Sequence, residues 1–81
     1  WDRLGLRLRE LRGALVVQSV KAGAPADEAG LAPGDVVRKL NGAPVSNLAA
    51  FRESLLSARG SRSVLLVVQR GRYGYYVTLP F

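Results

Sequence analysis

Arginine supplies most of the chemistry-bearing side chains in this sequence: ten Arg and two Lys stand against six acids, a formal net charge of +6. There is no His and no Cys. Their absence removes Ser-His-Asp and Cys-His nucleophile pairs, imidazole and thiolate metal ligands, and disulfides. The acids Asp2, Glu10, Asp27, Glu28, Asp35 and Glu53 are scattered, and no spacing suggests the carboxylate dyad that hydrolytic acid–base work needs. Asp35 follows a Pro-Gly pair and is expected to cap a turn, with no catalytic role. Tyr73, Tyr75 and Tyr76 read as cross-strand packing rather than as a nucleobase platform. No catalytic residue, metal site or cofactor is therefore expected. What remains is binding, and the charge balance favours acidic partners over neutral ones.

The elements that must position such a binding surface are organised around Ala29 to Gly42. Pro33 fixes φ near −65° and Gly34 tolerates positive φ, so Ala32-Pro33-Gly34-Asp35 predicts a type II turn. Val36, Val37 and Leu40 make a short strand, and Asn41-Gly42 is the strongest short signal for a type I′ turn. Upstream, Pro25-Ala26-Asp27-Glu28-Ala29 carries proline at a first helical position and acids in the first turn, with Gly30 placed to stop it.

At the front of the chain, Leu4, Leu6 and Leu8 alternate with Gly5, Arg7 and Arg9, the period-2 pattern of a strand with one apolar and one basic face. Arg12-Gly13 breaks it. Ala14 to Val20 follows as a second strand, apolar on both sides and central, and Lys21 to Ala24 as a loop. Pro44 confines Ala43-Pro44-Val45 to an edge or a strand start. Ser46 or Asn47 is the expected N-cap of a helix from Leu48 to about Arg59, whose apolar stripe is Leu48, Phe51, Leu55 and Ala58. Gly60 ends it, and Leu56 lies off the stripe, which suggests contacts on more than one side. Ser63 to Gln69 reads as a strand buried on both faces. Arg70 to Tyr73 turns the chain, and Gly74 to Leu79 returns with Tyr75, Val77 and Leu79 on one face.

The eighty-one residues suffice for one domain, 1–81, and no apolar run approaches the 18 residues of a membrane-spanning helix. The chain opens at Trp1 without a readable leader, so it is expected to be excised from a longer protein. The fold class is α+β, mostly β: a small sandwich or partial barrel of five to six strands with one short and one long helix.

Gly23-Ala24-Pro25-Ala26, Ala29-Gly30-Leu31-Ala32-Pro33-Gly34-Asp35-Val36-Val37 and Asn41-Gly42 resemble the signature of bacterial PDZ domains, and the resemblance spans nearly the whole chain. Its ends look most like the PDZ modules of HtrA/Deg trypsin-type serine proteases. The resemblance implies a peptide-binding module that adds an extended segment to the edge of strand one, beside the long helix. It implies a carboxylate-binding loop at Arg3, Leu4, Gly5 and Leu6, whose backbone N–H groups converge on one anion, with Arg3 standing where the first glycine is common. The implied groove is Leu8, Leu48, Phe51, Arg52 and Leu55, with Arg7 and Arg9 as ligand side-chain contacts.

Alternatives stay open at this point. Leu4, Leu6, Phe51 and Leu55 read as plain core or as pocket lining; the resemblance favours lining for Leu6 and Leu55 and leaves Phe51 between the two. Arg7 and Arg9 read as a solvated face or as ligand contacts. By resemblance the partners are a C-terminal or unfolded peptide and a protease domain of the same chain, in the bacterial periplasm or cell envelope. A second reading is an assembly domain making oligomer contacts. A third, nucleic-acid binding, is disfavoured because the arginines are dispersed and no aromatic residues interleave with them.

Overall fold

Turn chemistry sets the topology of this chain. The structure, a computed structural model, describes residues 4–80. Strands β1 (Leu6–Leu11) and β2 (Ala14–Val20) are joined at Arg12-Gly13, where both residues hold positive φ, 52° and 75°, and Leu11 pairs with Ala14. This is the two-residue type I′ geometry, whose twist matches the flanking strands. It recurs at Asn41-Gly42 (φ 51° and 85°) between β3 (Val36–Leu40) and β4 (Ala43–Pro44), as the Asn-Gly pair predicts. At Ala32-Pro33-Gly34-Asp35 the Asp35 N–H donates to the Ala32 carbonyl at 3.2 Å with Gly34 at φ 95°, the expected type II turn. β5 (Ser63–Arg70) reaches one residue further than expected and β6 (Tyr73–Pro80) one further at each end, because Arg70 and Tyr73 pair across Gly71-Arg72 and Pro80 pairs with Ser63.

The short helix α1 is Pro25–Glu28. The long helix α2 is Leu48–Ser57; Asn47, not Ser46, is its N-cap, accepting from the Ala50 N–H at 2.8 Å. The helix stops before the expected Arg59, with Ala58 as C-cap and Gly60 in the turn beyond at φ 91°. Leu56 is 56% exposed, so the expectation of contacts on a second side of the helix is overturned.

All pairings are antiparallel, in the order β1-β2-β3-β5-β6 with β4 attached to β3. Core residues Leu15, Val17, Val37, Leu40, Leu66, Val68 and Leu79 line one face of this sheet and meet Ala26 of α1 and Phe51 of α2. The runs in β2 and β5 that read as buried on both faces are covered on that one alone: Val16 and Val67 are half-buried and Leu65 is exposed. Both helices feed the same core, so no layer is left for the other face. Nor is β2 the central strand; it lies second from the end.

Candidate functional site

β1 begins at Leu6 rather than Leu4, because Leu4 and Gly5 form a turn that no side chain could replace. Gly5 sits at φ 70°, and a Cβ there would run into the Ala24 side chain. The turn is held against the β2–α1 connection, with the Gly5 carbonyl accepting from the Lys21 N–H (2.8 Å) and the Leu4 carbonyl from the Ala26 N–H (3.0 Å). Across a trans peptide the N–H points opposite to the carbonyl of the same unit. No cis bond is present among the described residues, so the N–H groups of Gly5 and Leu6 turn away from that anchor. With Gly5 bonded to Lys21, antiparallel alternation also sends the Leu6 N–H and C=O to the open side of β1.

Among the described residues β1 pairs with β2 alone, and α2 packs beside it. Leu6 and Leu8 point into the core with Phe51 and Leu55, and Leu48 packs against them partly buried. Leu8 and Leu55 keep 7% and 8% exposure, the highest values in that core, so the apolar layer is thinnest at the seam between β1 and α2. Leu4 is fully buried core. Arg7 and Arg9 lie on the opposite face of β1, exposed, and Arg52 is exposed on α2. Among the described residues the one ion pair is Arg70–Asp35, so these three arginines have no carboxylate partner there. Arg3 lies outside the described residues.

One seam contact was not legible in the sequence. Glu10, on the core side of β1 opposite Leu15, reaches α2 and accepts from the Leu48 N–H at 2.7 Å. It satisfies an orphan donor at the helix N-terminus with a charge of the favoured sign, and ties the edge strand to the helix. The pairing spans 38 residues, and no local spacing announces it.

A second polar centre lies at the start of β3. Asp35, 1% exposed, accepts from Arg70 Nε (2.7 Å, Oδ1), Arg70 Nη2 (2.8 Å, Oδ2), the Tyr75 hydroxyl (2.6 Å) and the Ala32 N–H (3.0 Å). Arg70 also donates to the Gly30 carbonyl at 2.9 Å and stands over the Tyr75 ring at 5.2 Å. Burial works against the Asp35 charge, but the Arg70, Tyr75 and Ala32 hydrogen bonds outweigh it and hold the carboxyl below its ordinary value. Burial, then the adjacent carboxylate, push the Tyr75 hydroxyl up to about 12. Asp35 caps the turn as expected, and it also locks three strands together. Every buried side-chain polar atom among the described residues has a partner, which marks this knot as structural.

A cleft of about 350 Å³ lies on another flank of α2, lined by Leu40, Asn41, Glu53 and Ser57 among others; none of the expected groove residues borders it. No group of three or more His, Cys, Asp or Glu able to hold a metal occurs among the described residues. None of the described helices is long and apolar enough to cross a membrane.

An open strand edge beside a helix, entered through a glycine turn, matches a known family: a PDZ domain family model fits residues 3–78. The chain belongs to the PDZ domain family. Its PDZ sequence is 41% identical over 68 residues to a probable DegP-like periplasmic serine endoprotease of Chlamydia muridarum, covering 83% of this chain and 14% of that protein. It is 44% identical over 66 residues to the periplasmic serine endoprotease DegP of Salmonella typhimurium, covering 80% of this chain and 13% of that one. This PDZ domain thus spans about a seventh of the length of these relatives. Among solved structures, the HtrA3 PDZ domain bound to a phage-derived ligand, FGRWV, superposes with a TM-score of 0.81 at 24% identity, over 95% of this chain and 81% of that one. A PDZ domain protein from Parabacteroides distasonis gives 0.81 at 23% identity, over 96% of this chain and 19% of that one. The mostly-β architecture with one short and one long helix is that of these neighbours.

Proposed function

We propose that this chain is the peptide-capturing PDZ module of a DegP-like serine protease, excised as residues 1–81 from a longer periplasmic or cell-envelope protein. An extended or C-terminal segment adds as a strand to the open side of β1, against α2. The observation that supports this is the single pairing of β1, with the Leu6 N–H and C=O turned outward beside the thinnest part of the core. Main-chain bonds to β1 supply affinity, and side-chain slots supply selection. The Leu4-Gly5 turn and Leu6 receive the terminal carboxylate through backbone N–H groups, and the terminal side chain enters the seam of Leu6, Leu8, Leu48, Phe51 and Leu55. Alternate ligand side chains lie beside Arg7 and Arg9, with Arg52 on the other wall, so acidic residues are favoured there by about 0.2 to 1 kcal/mol each. The module carries no catalytic group of its own; cleavage belongs to a protease domain of the same chain.

A C-terminal ligand such as FGRWV, the peptide of the HtrA3 complex, is the direct probe. Binding with Kd of about 1 to 100 μM is expected, because a short added strand must offset its own ordering entropy. Amidating its terminus weakens binding if backbone N–H groups hold the carboxylate. Equal affinity for acid and amide removes the loop assignment, and a peptide library that yields no consensus favours an assembly domain instead.

A further inference from the structure

The open face of the sheet is built as a surface rather than left as a remainder. Cross-strand pairing sets its rows: Arg9, Val16, Val36, Gln69 and Gly74 run across all five strands, and Lys39, Val67 and Tyr76 across three. Leu11 beside Ala14 and Leu65 beside Thr78 extend them. Tyr76 is 74% exposed and Leu65 39%, while Val16, Val36 and Val67 are half-buried, so apolar side chains are presented to water on several adjacent strands. Arg7, Arg9, Arg38 and Lys39 stand on or beside the same rows. Arg38 is oriented in advance, with Nε donating to Gln69 Oε1 at 2.9 Å and the Gln69 amide donating in turn to the Gly71 carbonyl at 3.0 Å.

No acid among the described residues shares this face. Glu10 caps α2, Asp27 accepts from the Gly23 N–H, Asp35 is locked in its knot, and Glu28 and Glu53 lie on the helices. We infer that the open sheet face is a second docking surface, adjoining the β1 groove at Arg7 and Arg9 and centred on Arg38, Lys39, Val67 and Tyr76, and that its occupant is an acidic protein surface carrying apolar side chains. Aromatic residues and arginine on a flat, half-apolar area are what protein interfaces concentrate. A second copy of this chain would set the same cations against each other. A bilayer fits poorly, because Arg38 and Lys39 stand among the apolar side chains instead of around them and no apolar group projects as a wedge. A nucleic-acid backbone would leave the valines and Leu65 uncovered.

The test is titration of the 81-residue chain with a random glutamate–tyrosine copolymer, read by amide NMR shifts and calorimetry. Two charge-matched double variants decide it: Arg38→Glu with Lys39→Glu on the face, and Arg59→Glu with Arg62→Glu outside its rows. The on-face pair should weaken binding by about tenfold and the control pair by less than about threefold, since exposed charges act locally at moderate salt. Tyr76→Ser should weaken binding further and keep its effect at high salt. Thermal unfolding confirms that each variant is folded, and Arg38→Gln with Lys39→Gln replaces any that is not. Equal losses in both pairs, or indifference to Tyr76→Ser, reduce the effect to net charge and overturn the inference. So does stronger binding of phosphatidylglycerol vesicles or duplex DNA through the same residues.

Discussion

The seam between β1 and α2 and the knot around Asp35 hold one sheet by opposite means. In the knot, four donor contacts converge on one buried carboxylate from residues 32, 70 and 75, at 2.6 to 3.0 Å. In the seam, contact is largely apolar, with a hydrogen bond from the Leu48 N–H to Glu10 crossing between helix and strand. Directional bonds fix one geometry, whereas apolar contact is non-directional and tolerates small shifts in spacing. Under the proposed function, this difference is why an added strand is expected at the seam closed by leucines and not beside the charge network.

Substitutions can break that comparison. Leu55→Ala should cost about 2 to 3 kcal/mol in urea denaturation, the low end for a buried leucine because the site borders solvent, and should also weaken peptide binding. Unchanged peptide affinity in a folded Leu55→Ala protein would make the seam ordinary core. Asp35→Asn should cost about 1 to 3 kcal/mol, because it strands the hydrogen-bond donors converging on a buried carboxylate, while leaving affinity nearly unchanged. An affinity loss as large as that of Leu55→Ala would show that the two regions act as one.

The knot also predicts two pH dependences. The folded Asp35 carboxyl lies below its ordinary 3.8, so its stabilisation is full above that pH and is lost as pH falls through the lower folded value. Asp35→Asn should flatten the acid limb of a plot of melting temperature against pH. The Tyr75 hydroxyl moves the other way, from 10.0 to about 12, so its contribution is full below pH 10 and disappears as pH climbs toward 12. Tyr75→Phe should remove that part of the alkaline slope; identical slopes in both proteins would contradict the Tyr75–Asp35 bond. The smallest expected effect is Glu10→Gln, about 0.3 to 1 kcal/mol, for a charge at a helix N-terminus that keeps a weaker acceptor.

What could be read from the residues was local. Pro33-Gly34 and Asn41-Gly42 specify their turns because few other pairs accept those backbone angles, and Leu48, Phe51 and Leu55 mark a helix face by spacing alone. What could not be read was the number of layers: the apolar runs of β2 and β5 look alike whether one face is covered or two, and only the placement of both helices in a single core decides it. The Asp35–Arg70–Tyr75 and Glu10–Leu48 partners were hidden for a related reason, since each joins residues that only the finished topology brings together. The position of strand one at the sheet edge was legible because it is terminal, short and basic on one face.

The central claim is that an added strand pairs with β1. Hydrogen exchange measured residue by residue, with and without a valine-terminated pentapeptide, tests it most directly. The account predicts that the outward amides of Gly5, Leu6 and β1 gain protection on binding while those of β6 do not change. Protection confined to β6 or to the open sheet face, with β1 unchanged, would contradict it.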